Sequence, residues 1–207
     1  PCGTLFPYTT LFRSGMCGNG ARCSVWVAHQ ENKIGNEGHF LSNEMIYHST
    51  IENKTVVHID FPLQPQVRQN FPEAGVFFVE TGVPHVVKIV DNIEDKHFLA
   101  EARRLRHHPL LEDGANVNWI AVNDGWLDIR TFEKGVEGET LACGTGCASA
   151  ALTAVKLHNI DQWECRTRCG SLLLNIGAAS FRLSGEVSPV FRGYFEIRSE
   201  EHTSELQ

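Results

Sequence analysis

The chain has 207 residues, of which 42% are hydrophobic and 21% charged, and its formal net charge is −7. This apolar content is enough for a packed core, and the mild acidity excludes the basic surface expected of a nucleic-acid-binding protein. No apolar run approaches the roughly 20 residues of a membrane helix, so we expect no membrane association and a cytoplasmic protein.

The two ends of the chain differ in character from its middle. Residues 4–14, TLFPYTTLFRS, and residues 198–207, RSEEHTSELQ, resemble translations of the two adapters used in short-read DNA sequencing. We therefore expect residues 1–14 to be an artefactual leader and residues 198–207 an artefactual tail, and both are excluded from fold prediction. An insert bounded by adapters predicts a natural protein that continues upstream of Gly15, and less activity in this chain than in its longer parent.

In the first part of the chain, sequence periodicity predicts one helix and one hairpin. Apolar and small residues after Cys17 predict a helix that reaches about Ile34 and ends at Gly35. Residues 44–61 alternate between apolar and polar positions on either side of a turn at 52–53, which predicts a β-hairpin. The fold is therefore expected to start with a helix followed by antiparallel strands.

The second part of the chain is predicted to contain strands around two helices. One helix spans 93–108, because apolar side chains recur on one side of it, and the other spans about 144–157. The recurring apolar side chains of the first are Ile93, Phe98, Ala102 and Leu105. Strands are predicted at 75–82, 85–90, 116–122, 126–132, 171–176, 180–187 and 190–197. The strands at 116–122 and 126–132 are predicted to form a second hairpin, because the residues between them, 123–125, are Asn, Asp and Gly. This order of strands and helices is typical of an α+β fold.

A cysteine followed by Gly-x-Gly occurs twice, as CGNG at 17–20 and as CGTG at 143–146. Each cysteine precedes a predicted helix, where unpaired backbone N–H groups and the helix dipole favour a thiolate, so we expect the pKa of both thiols to be lowered. The glycines lack side chains, so their N–H groups can approach an anion such as a carboxylate. Internal duplication predicts two related lobes, with both cysteines facing one cleft.

Two thiols on opposite sides of one carbon can invert that carbon by proton transfer. A thiolate removes hydrogen from one face while a thiol returns it to the other, and helix N-termini stabilise the charge that develops on the substrate carboxylate. This chemistry requires no pyridoxal cofactor, and the cysteine spacings do not predict a metal site. The other cysteines are expected to be small apolar residues in or near a core, namely Cys23, Cys147, Cys165 and Cys169.

Five segments together resemble the diaminopimelate epimerase family: MCGNGARC, PHVV, NVNW, FEKGVEGETLACGTG and CGSLLLNI. The resemblance implies cofactor-independent interconversion of LL- and meso-2,6-diaminopimelate, in the biosynthesis of lysine and peptidoglycan precursors. It also implies two pseudo-symmetric lobes, each a β-sheet wrapped around a central helix, of which the first is incomplete. Residues 15–78 are assigned to the N-terminal lobe and residues 79–197 to the C-terminal lobe, whose last strands are expected to pack back on the first. The small-molecule substrate is the expected partner, and a homodimer is a possible assembly.

By the same resemblance, Cys17 and Cys143 are the acid/base thiols, with Cys143 as the base toward the LL isomer. His85 and Glu133 are implied in catalysis, His85 by positioning a cysteine or the amino group. The residues implied to hold the reacting carboxylate are Gly18, Asn19, Gly144 and Thr145, and those implied at the distal end of the substrate are Asn116, Glu133 and Lys134. Lys134 stands where the family commonly has arginine, and Val83 where it has asparagine, so we expect a weaker grip on substrate.

Other interpretations of these residues stay open. His85 also fits a hydrogen-bonded core histidine, Asn116 a turn residue at a strand start, and Glu133 a solvated charge. Arg22 is expected to stabilise its lobe rather than bind substrate. At the level of function, a proline or hydroxyproline racemase shares the two-thiol chemistry, although Asn19 stands where that enzyme usually has histidine. The other alternative is a non-enzyme, either a thiol-rich binding module or a catalytically dead fragment of the epimerase.

Overall fold

The computed structural model describes residues 17–42, 45–62, 66–68 and 71–193. Its helices are α1 (Gly18–Gln30), α2 (Phe98–Arg106) and α3 (Gly144–His158). The strands are β1 (Glu37–Ser42), β2 (Met45–Glu52), β3 (Val56–Phe61), β4 (Gln66–Arg68), β5 (Val76–Glu80), β6 (Pro84–Ile89), β7 (Asn116–Val122), β8 (Trp126–Glu133), β9 (Gly138–Thr140), β10 (Gln162–Thr167), β11 (Gly170–Ile176) and β12 (Phe181–Glu186). In the part of the chain so described, no helix is long and apolar enough to cross a membrane.

These strands form one mixed sheet in the order β1-β2-β3-β12-β11-β10-β8-β7-β6-β5-β4, with β9 paired to β8. Neighbouring strands are antiparallel except for the β10/β8 and β6/β7 pairs, which are parallel. β12 lies antiparallel to β3, with Phe181 opposite Phe61, so a strand late in the chain continues the sheet of the early strands. The division of the chain into lobes at residue 78 stays a prediction.

Helix α3 is the central helix of the second half of the sheet. Its residues are buried without interruption from Gly144 to Ala154, and it contacts strands on both sides, from β4 through β8 and from β10 to β12. A helix that is apolar or small on every side is stable only when it is enclosed, and the sequence GTGCASAALTA has that composition. The predicted α+β class, with a sheet wrapped around a central helix, is confirmed.

Helix α1 buries only one face, which packs on β3 and on the start of α3. The buried residues are Gly18, Ala21, Arg22 and Val25, whereas Val27 is 51% exposed. The helix ends at Gln30, so the predicted end at Gly35 was wrong. Asn32 adopts a left-handed φ of 54° and forms the Schellman pattern, in which Asn32 N donates to His29 O and Lys33 N to Ala28 O.

Helix α2 covers the opposite face of the sheet, where Phe98, Ala102 and Leu105 are buried as predicted against β7 and β8. It begins at Phe98 rather than at residue 93. The side chains of Asn92 and Asp95 accept hydrogen bonds from the backbone N–H groups two residues later, and this pattern favours turns over a helix.

Four strands were not predicted, namely β1, β4, β9 and β10. The hairpin of β2 and β3 is confirmed, although its left-handed residues are Asn53 and Lys54, one position later than predicted. The hairpin of β7 and β8 is confirmed as predicted. In the strand predicted at 190–197, residues 190–193 form no strand, and residues 194–197 lie outside the described part of the chain.

Candidate active site

The N-termini of α1 and α3 lie against each other at two glycines. A Cβ atom placed on Gly144 would lie 3.5 Å from the Cα atom of Gly18, and one placed on Gly18 would lie 3.7 Å from the Cα atom of Gly144. Leu183 of β12 closes this junction, because its Cδ2 atom would lie 2.7 Å from a Cβ on Gly18. Cys17 and Cys143 immediately precede the two glycines, so the fold brings both cysteines to one junction between the helices.

The two cysteines have matching local geometry. Each is the N-cap of its helix in an extended conformation, with φ, ψ of −97°, 106° for Cys17 and −127°, 114° for Cys143. The Sγ atom of Cys17 accepts a hydrogen bond from Gly20 N at 3.4 Å, and the Sγ atom of Cys143 accepts one from Gly146 N at 3.4 Å. Both sulfur atoms therefore receive the backbone donors that were expected at a helix start.

The surroundings of Cys143 oppose its ionisation. Burial, and after it the negative charge of Glu133, raise the pKa of the Cys143 thiol to about 12, although hydrogen bonds from Thr145 and Gly146 act to lower it. The expectation that the helix start lowers this pKa was wrong, because the cost of removing the thiolate from water exceeds the gain from its donors. Cys143 is half-buried and Cys17 is exposed.

His85 lies two hydrogen bonds away from the sulfur of Cys143. Its Nε2 atom is 3.1 Å from Thr145 Oγ1, which is 3.4 Å from Cys143 Sγ. His85 is fully buried, and desolvation lowers its pKa to about 3, so the imidazole is neutral near neutral pH. The structure thus makes His85 a hydrogen-bonded core histidine that also contacts a site residue.

Asn118 and Thr131 belong to the same buried group, and sequence reasoning missed both. Asn118 Nδ2 lies 2.9 Å from His85 Nδ1, and Thr131 Oγ1 donates to Asn118 Oδ1 at 3.0 Å. A signal was available, because Asn118 is two positions after Asn116 on the same strand, and alternate residues of a strand share a face. Of the two asparagines in NVNW, only Asn116 was predicted to be a site residue.

Arg22 braces the first turn of α1. Its guanidinium donates to Gly18 O at 3.3 Å and to Asn19 Oδ1 at 2.8 Å. Burial lowers the pKa of Arg22, and the described residues offer it no carboxylate within ion-pair distance. The side-chain oxygen of Asn19 is therefore engaged by Arg22, and the backbone N–H of Asn19, in the first turn of α1, has no acceptor within the helix.

The three residues expected at the distal end of the substrate lie together at the ends of β7 and β8. Asn116 Oδ1 accepts a hydrogen bond from Lys134 N at 2.8 Å, and Glu133 Oε1 accepts one from Thr140 Oγ1 at 2.5 Å. Glu133 is within electrostatic reach of Cys143, whose pKa it raises, and this places the group near the helix junction. Lys134 is exposed.

Strand β9 places Thr140 beside Glu133, and an ion pair holds the strand in position. Arg130 binds Glu139 through two hydrogen bonds of 2.7 Å, and Arg168 lies 3.6 Å from the same carboxylate.

Among the remaining cysteines, Cys147 and Cys165 are buried as expected, whereas Cys23 and Cys169 are exposed. Within the described residues, no cluster of His, Cys, Asp and Glu could hold a metal ion.

The fold is shared with solved structures of low sequence identity. A phenazine biosynthesis PhzF family protein from Enterococcus faecalis is 18% identical with a TM-score of 0.60, over 84% of this chain and 70% of that chain. A probable proline racemase from Agrobacterium radiobacter is 13% identical with a TM-score of 0.61, over 83% and 65% of the two chains. A predicted epimerase from Pseudomonas aeruginosa is 14% identical with a TM-score of 0.59, over 80% and 69%. The fold class is therefore the one these proteins have in common.

Sequence comparison narrows the class to a family. The family model of diaminopimelate epimerase matches residues 77–184. A diaminopimelate epimerase from Chlorobaculum tepidum is 35% identical, over 88% of this chain and 75% of the relative. Relatives of the same name from Aquifex aeolicus and Flavobacterium psychrophilum are 32% and 30% identical, with 68% and 69% of their lengths covered. The chain belongs to the diaminopimelate epimerase family, as the sequence motifs predicted.

Proposed function

We propose that the chain is a diaminopimelate epimerase, an isomerase that interconverts LL- and meso-2,6-diaminopimelate in lysine and peptidoglycan precursor biosynthesis. The observation that carries the proposal is the junction of α1 and α3, where each helix begins with a cysteine and the glycines after the cysteines are in contact. Membership of the family supplies the substrate.

Cys143 is the base toward the LL isomer and Cys17 is the acid. Because burial favours the Cys143 thiol, the thiolate must be stabilised when substrate enters, and the substrate ammonium brings a positive charge into the water-poor site. The hydrogen bonds from Thr145 and Gly146 act in the same direction. After turnover the two sulfur atoms have exchanged protonation states and serve the reverse direction.

The first-turn N–H groups of both helices bind the carboxylate next to the reacting carbon. These groups belong to Gly18, Asn19, Gly144 and Thr145, and an α-helix leaves its first N–H groups without an internal acceptor. As the α-hydrogen leaves, negative charge grows on the carboxylate, and two helix N-termini stabilise it without reorganising. The side-chain oxygen of Thr145 lies 3.1 Å from His85 Nε2, and this contact helps to hold the first turn of α3 in place.

The distal end of the substrate is bound by Asn116, Glu133 and Lys134. Glu133 pairs with the distal ammonium, and Lys134 meets the distal carboxylate as a point charge. The bond from Thr140 holds the Glu133 carboxylate in place. Because Lys134 cannot make the two-pronged contact of an arginine, we expect Lys134→Arg to lower the KM for diaminopimelate.

The experiment is exchange of the substrate α-hydrogen for deuterium in D₂O, followed by proton NMR. We expect exchange and epimerisation with LL-diaminopimelate, unchanged after dialysis against EDTA and without pyridoxal phosphate. Cys17→Ser and Cys143→Ser should each reduce epimerisation at least about 100-fold, because each removes one acid/base partner. The longer gene from the same source is assayed in parallel.

A second arm of the assay uses the isomers of proline and 4-hydroxyproline. Exchange with proline alone would replace the proposal with a racemase. Absence of exchange with every substrate, in this chain and in the longer one, would overturn it. Wild-type rates of epimerisation in both serine variants would rule out the two-thiol mechanism.

A further inference from the structure

The side chain of Asn118 is held in one orientation by its neighbours. Its Nδ2 atom lies 3.4 Å from the carbonyl oxygen of Val86, and its Oδ1 atom accepts from Thr131 Oγ1 at 3.0 Å. A carbonyl oxygen only accepts hydrogen bonds, so the amide nitrogen must face Val86 and the amide oxygen must face Thr131. The hydrogen-bonding partners of the two amide atoms therefore fix the orientation of the Asn118 side chain.

This orientation sets the tautomer of His85. The amide nitrogen that faces Val86 O also faces His85 Nδ1 at 2.9 Å, and as a donor it requires a lone pair on Nδ1. A neutral imidazole with a lone pair on Nδ1 carries its hydrogen on Nε2. His85 Nε2–H therefore donates to Thr145 Oγ1, and the hydroxyl hydrogen of Thr145 is left to donate to Cys143 Sγ.

We propose that Asn118 is a positioning residue for proton transfer, because it directs a chain of hydrogen bonds through His85 and Thr145 onto the sulfur of Cys143. The inference rests on the proposed function of Cys143 as an acid/base group. With the opposite His85 tautomer, Nε2 would accept the Thr145 hydroxyl hydrogen, and the Cys143 thiolate would lose a donor.

The start of α3 is shaped to fit the amide. A Cβ atom on Gly146 would lie 2.5 Å from Asn118 Oδ1, so the amide occupies the space that any other residue at position 146 would fill. Asn118 itself is fully buried. The negative charge of Glu133 disfavours the Cys143 thiolate, and the hydrogen bond from Thr145 counters this effect.

The test is a double-mutant cycle of Asn118→Leu and Thr145→Val, read by the rate at which iodoacetamide alkylates Cys143 at pH 8, because the thiolate is the form that reacts. The Cys143 peptide is quantified by mass spectrometry, which separates it from the other cysteines. We expect each single variant to slow alkylation about tenfold, which corresponds to a tenfold lower thiolate fraction. The double variant should be slowed as much as either single variant, because both break one chain.

Kinetic constants distinguish positioning from packing. Asn118→Leu should lower kcat at least about tenfold while KM for LL-diaminopimelate changes less than about threefold, since Asn118 does not contact substrate. Thr145→Ser keeps the hydroxyl group and should retain the wild-type alkylation rate. Asn92→Leu, a change of the same type in an exposed loop, should leave kcat unchanged.

A measurement on the unaltered chain does not depend on the folding of the Asn118 and Thr145 variants. The ¹⁵N spectrum of histidine-labelled protein, with His85 assigned by His85→Gln, should show hydrogen on Nε2 and none on Nδ1. Hydrogen on Nδ1 would overturn the inference, as would additive effects on the alkylation rate in the cycle or an unchanged alkylation rate in Asn118→Leu. These readouts need no turnover, so a chain with the expected tautomer and coupling but no exchange would refute the epimerase proposal alone.

Discussion

At the scale of single residues, burial sets the charge state of the groups around the start of α3. Desolvation lowers the pKa of His85 and raises that of Cys143, so each is neutral near neutral pH. Neutrality suits a resting site, because a hydrogen-bond chain through a neutral imidazole leaves no buried charge without a partner. The thiolate then has to form in response to substrate.

The pKa of His85 predicts a loss of stability in acid. The group titrates at about 3 when folded against 6.5 as a free side chain, so between these pH values only the unfolded state binds its proton. Stability is therefore retained above pH 6.5 and falls below it, by about 1.4 kcal/mol per pH unit from this group. Urea unfolding at pH 7.5, 6 and 5 should show a shallower dependence in His85→Gln. Parallel slopes would contradict the assignment.

The two motif glycines predict unequal tolerance of alanine. A Cβ on Gly146 would lie 2.5 Å from Asn118 Oδ1, whereas on Gly20 it would meet Cys17 atoms at 3.6 Å, an ordinary contact. We expect Gly146→Ala to cost about 1–3 kcal/mol of unfolding free energy, as overpacking does, and Gly20→Ala to be neutral or stabilising. Chemical denaturation of both variants tests the difference. Equal costs would show that the Asn118 side chain moves aside easily when position 146 carries a Cβ atom.

At the scale of elements, α1 and α3 each begin with a cysteine that caps the helix. A sulfur at 3.4 Å from the backbone nitrogen three residues later accepts the hydrogen bond that serine or aspartate commonly accepts at a helix start. Under the proposed mechanism the same atom also transfers the proton, so a change at Cys143 affects both roles unless the cap is kept.

Serine and alanine at position 143 separate these roles. Serine can still accept from Gly146 N, so we expect Cys143→Ser to exceed Cys143→Ala in unfolding free energy by about 1 kcal/mol. Both variants should lose α-hydrogen exchange, because a hydroxyl is a far weaker acid than a thiol. Equilibrium urea curves and NMR exchange are the measurements. Equal stabilities would mean that the cap contributes nothing to α3.

Strand β9 depends on the Arg130–Glu139 ion pair for its position beside Glu133. The side chains of this pair are only 12% and 25% exposed, and the carboxylate pKa of Glu139 is lowered mainly by its bond from Arg130. Glu139→Gln should cost about 1.5–3 kcal/mol and raise KM, since Thr140 would no longer hold Glu133. Glu94→Gln, in the exposed pair with Arg168, should change stability less and leave KM unaltered. An unchanged KM in Glu139→Gln would show that β9 does not position Glu133 for substrate binding.

At the scale of the whole molecule, the two helices that begin after Cys17 and Cys143 differ in how far the fold encloses them. α3 is surrounded by strands along its first three turns, whereas α1 packs on one face only. The proposed site therefore joins an enclosed side, which carries Cys143 and its hydrogen-bond chain, to a side with fewer buried contacts, which carries Cys17.

Hydrogen exchange should reveal this asymmetry. Amides of α3 should exchange only through global unfolding, while amides of α1 exchange through local opening at a lower free energy. Mass spectrometry of peptides covering each helix, across a urea series, measures both. Equal protection of the two helices would contradict the prediction.

Much of the fold was predictable where the signal is local. Alternating hydrophobicity marked the β2/β3 and β7/β8 hairpins, and small residues at a helix start marked α1 and α3. Of the missed strands, β4 and β9 have only three residues each and β1 lies at a sheet edge, so pairing partners rather than their own sequence select the strand conformation. β10 was missed although it has six residues and lies inside the sheet, between β8 and β11. The end of α1 was misplaced because Asn32, and not Gly35, took the left-handed conformation.

The sequence by itself determined the family, the paired cysteine motifs and the helix starts that follow them, because these depend on residues adjacent in the chain. Only the tertiary structure decided that Gly18 meets Gly144, that β12 continues the sheet beside β3, and that Asn118 reaches His85. It also reversed the expected pKa shift of Cys143. Contacts and desolvation arise between residues far apart in the chain, and their free energies exceed the local effect of a helix terminus.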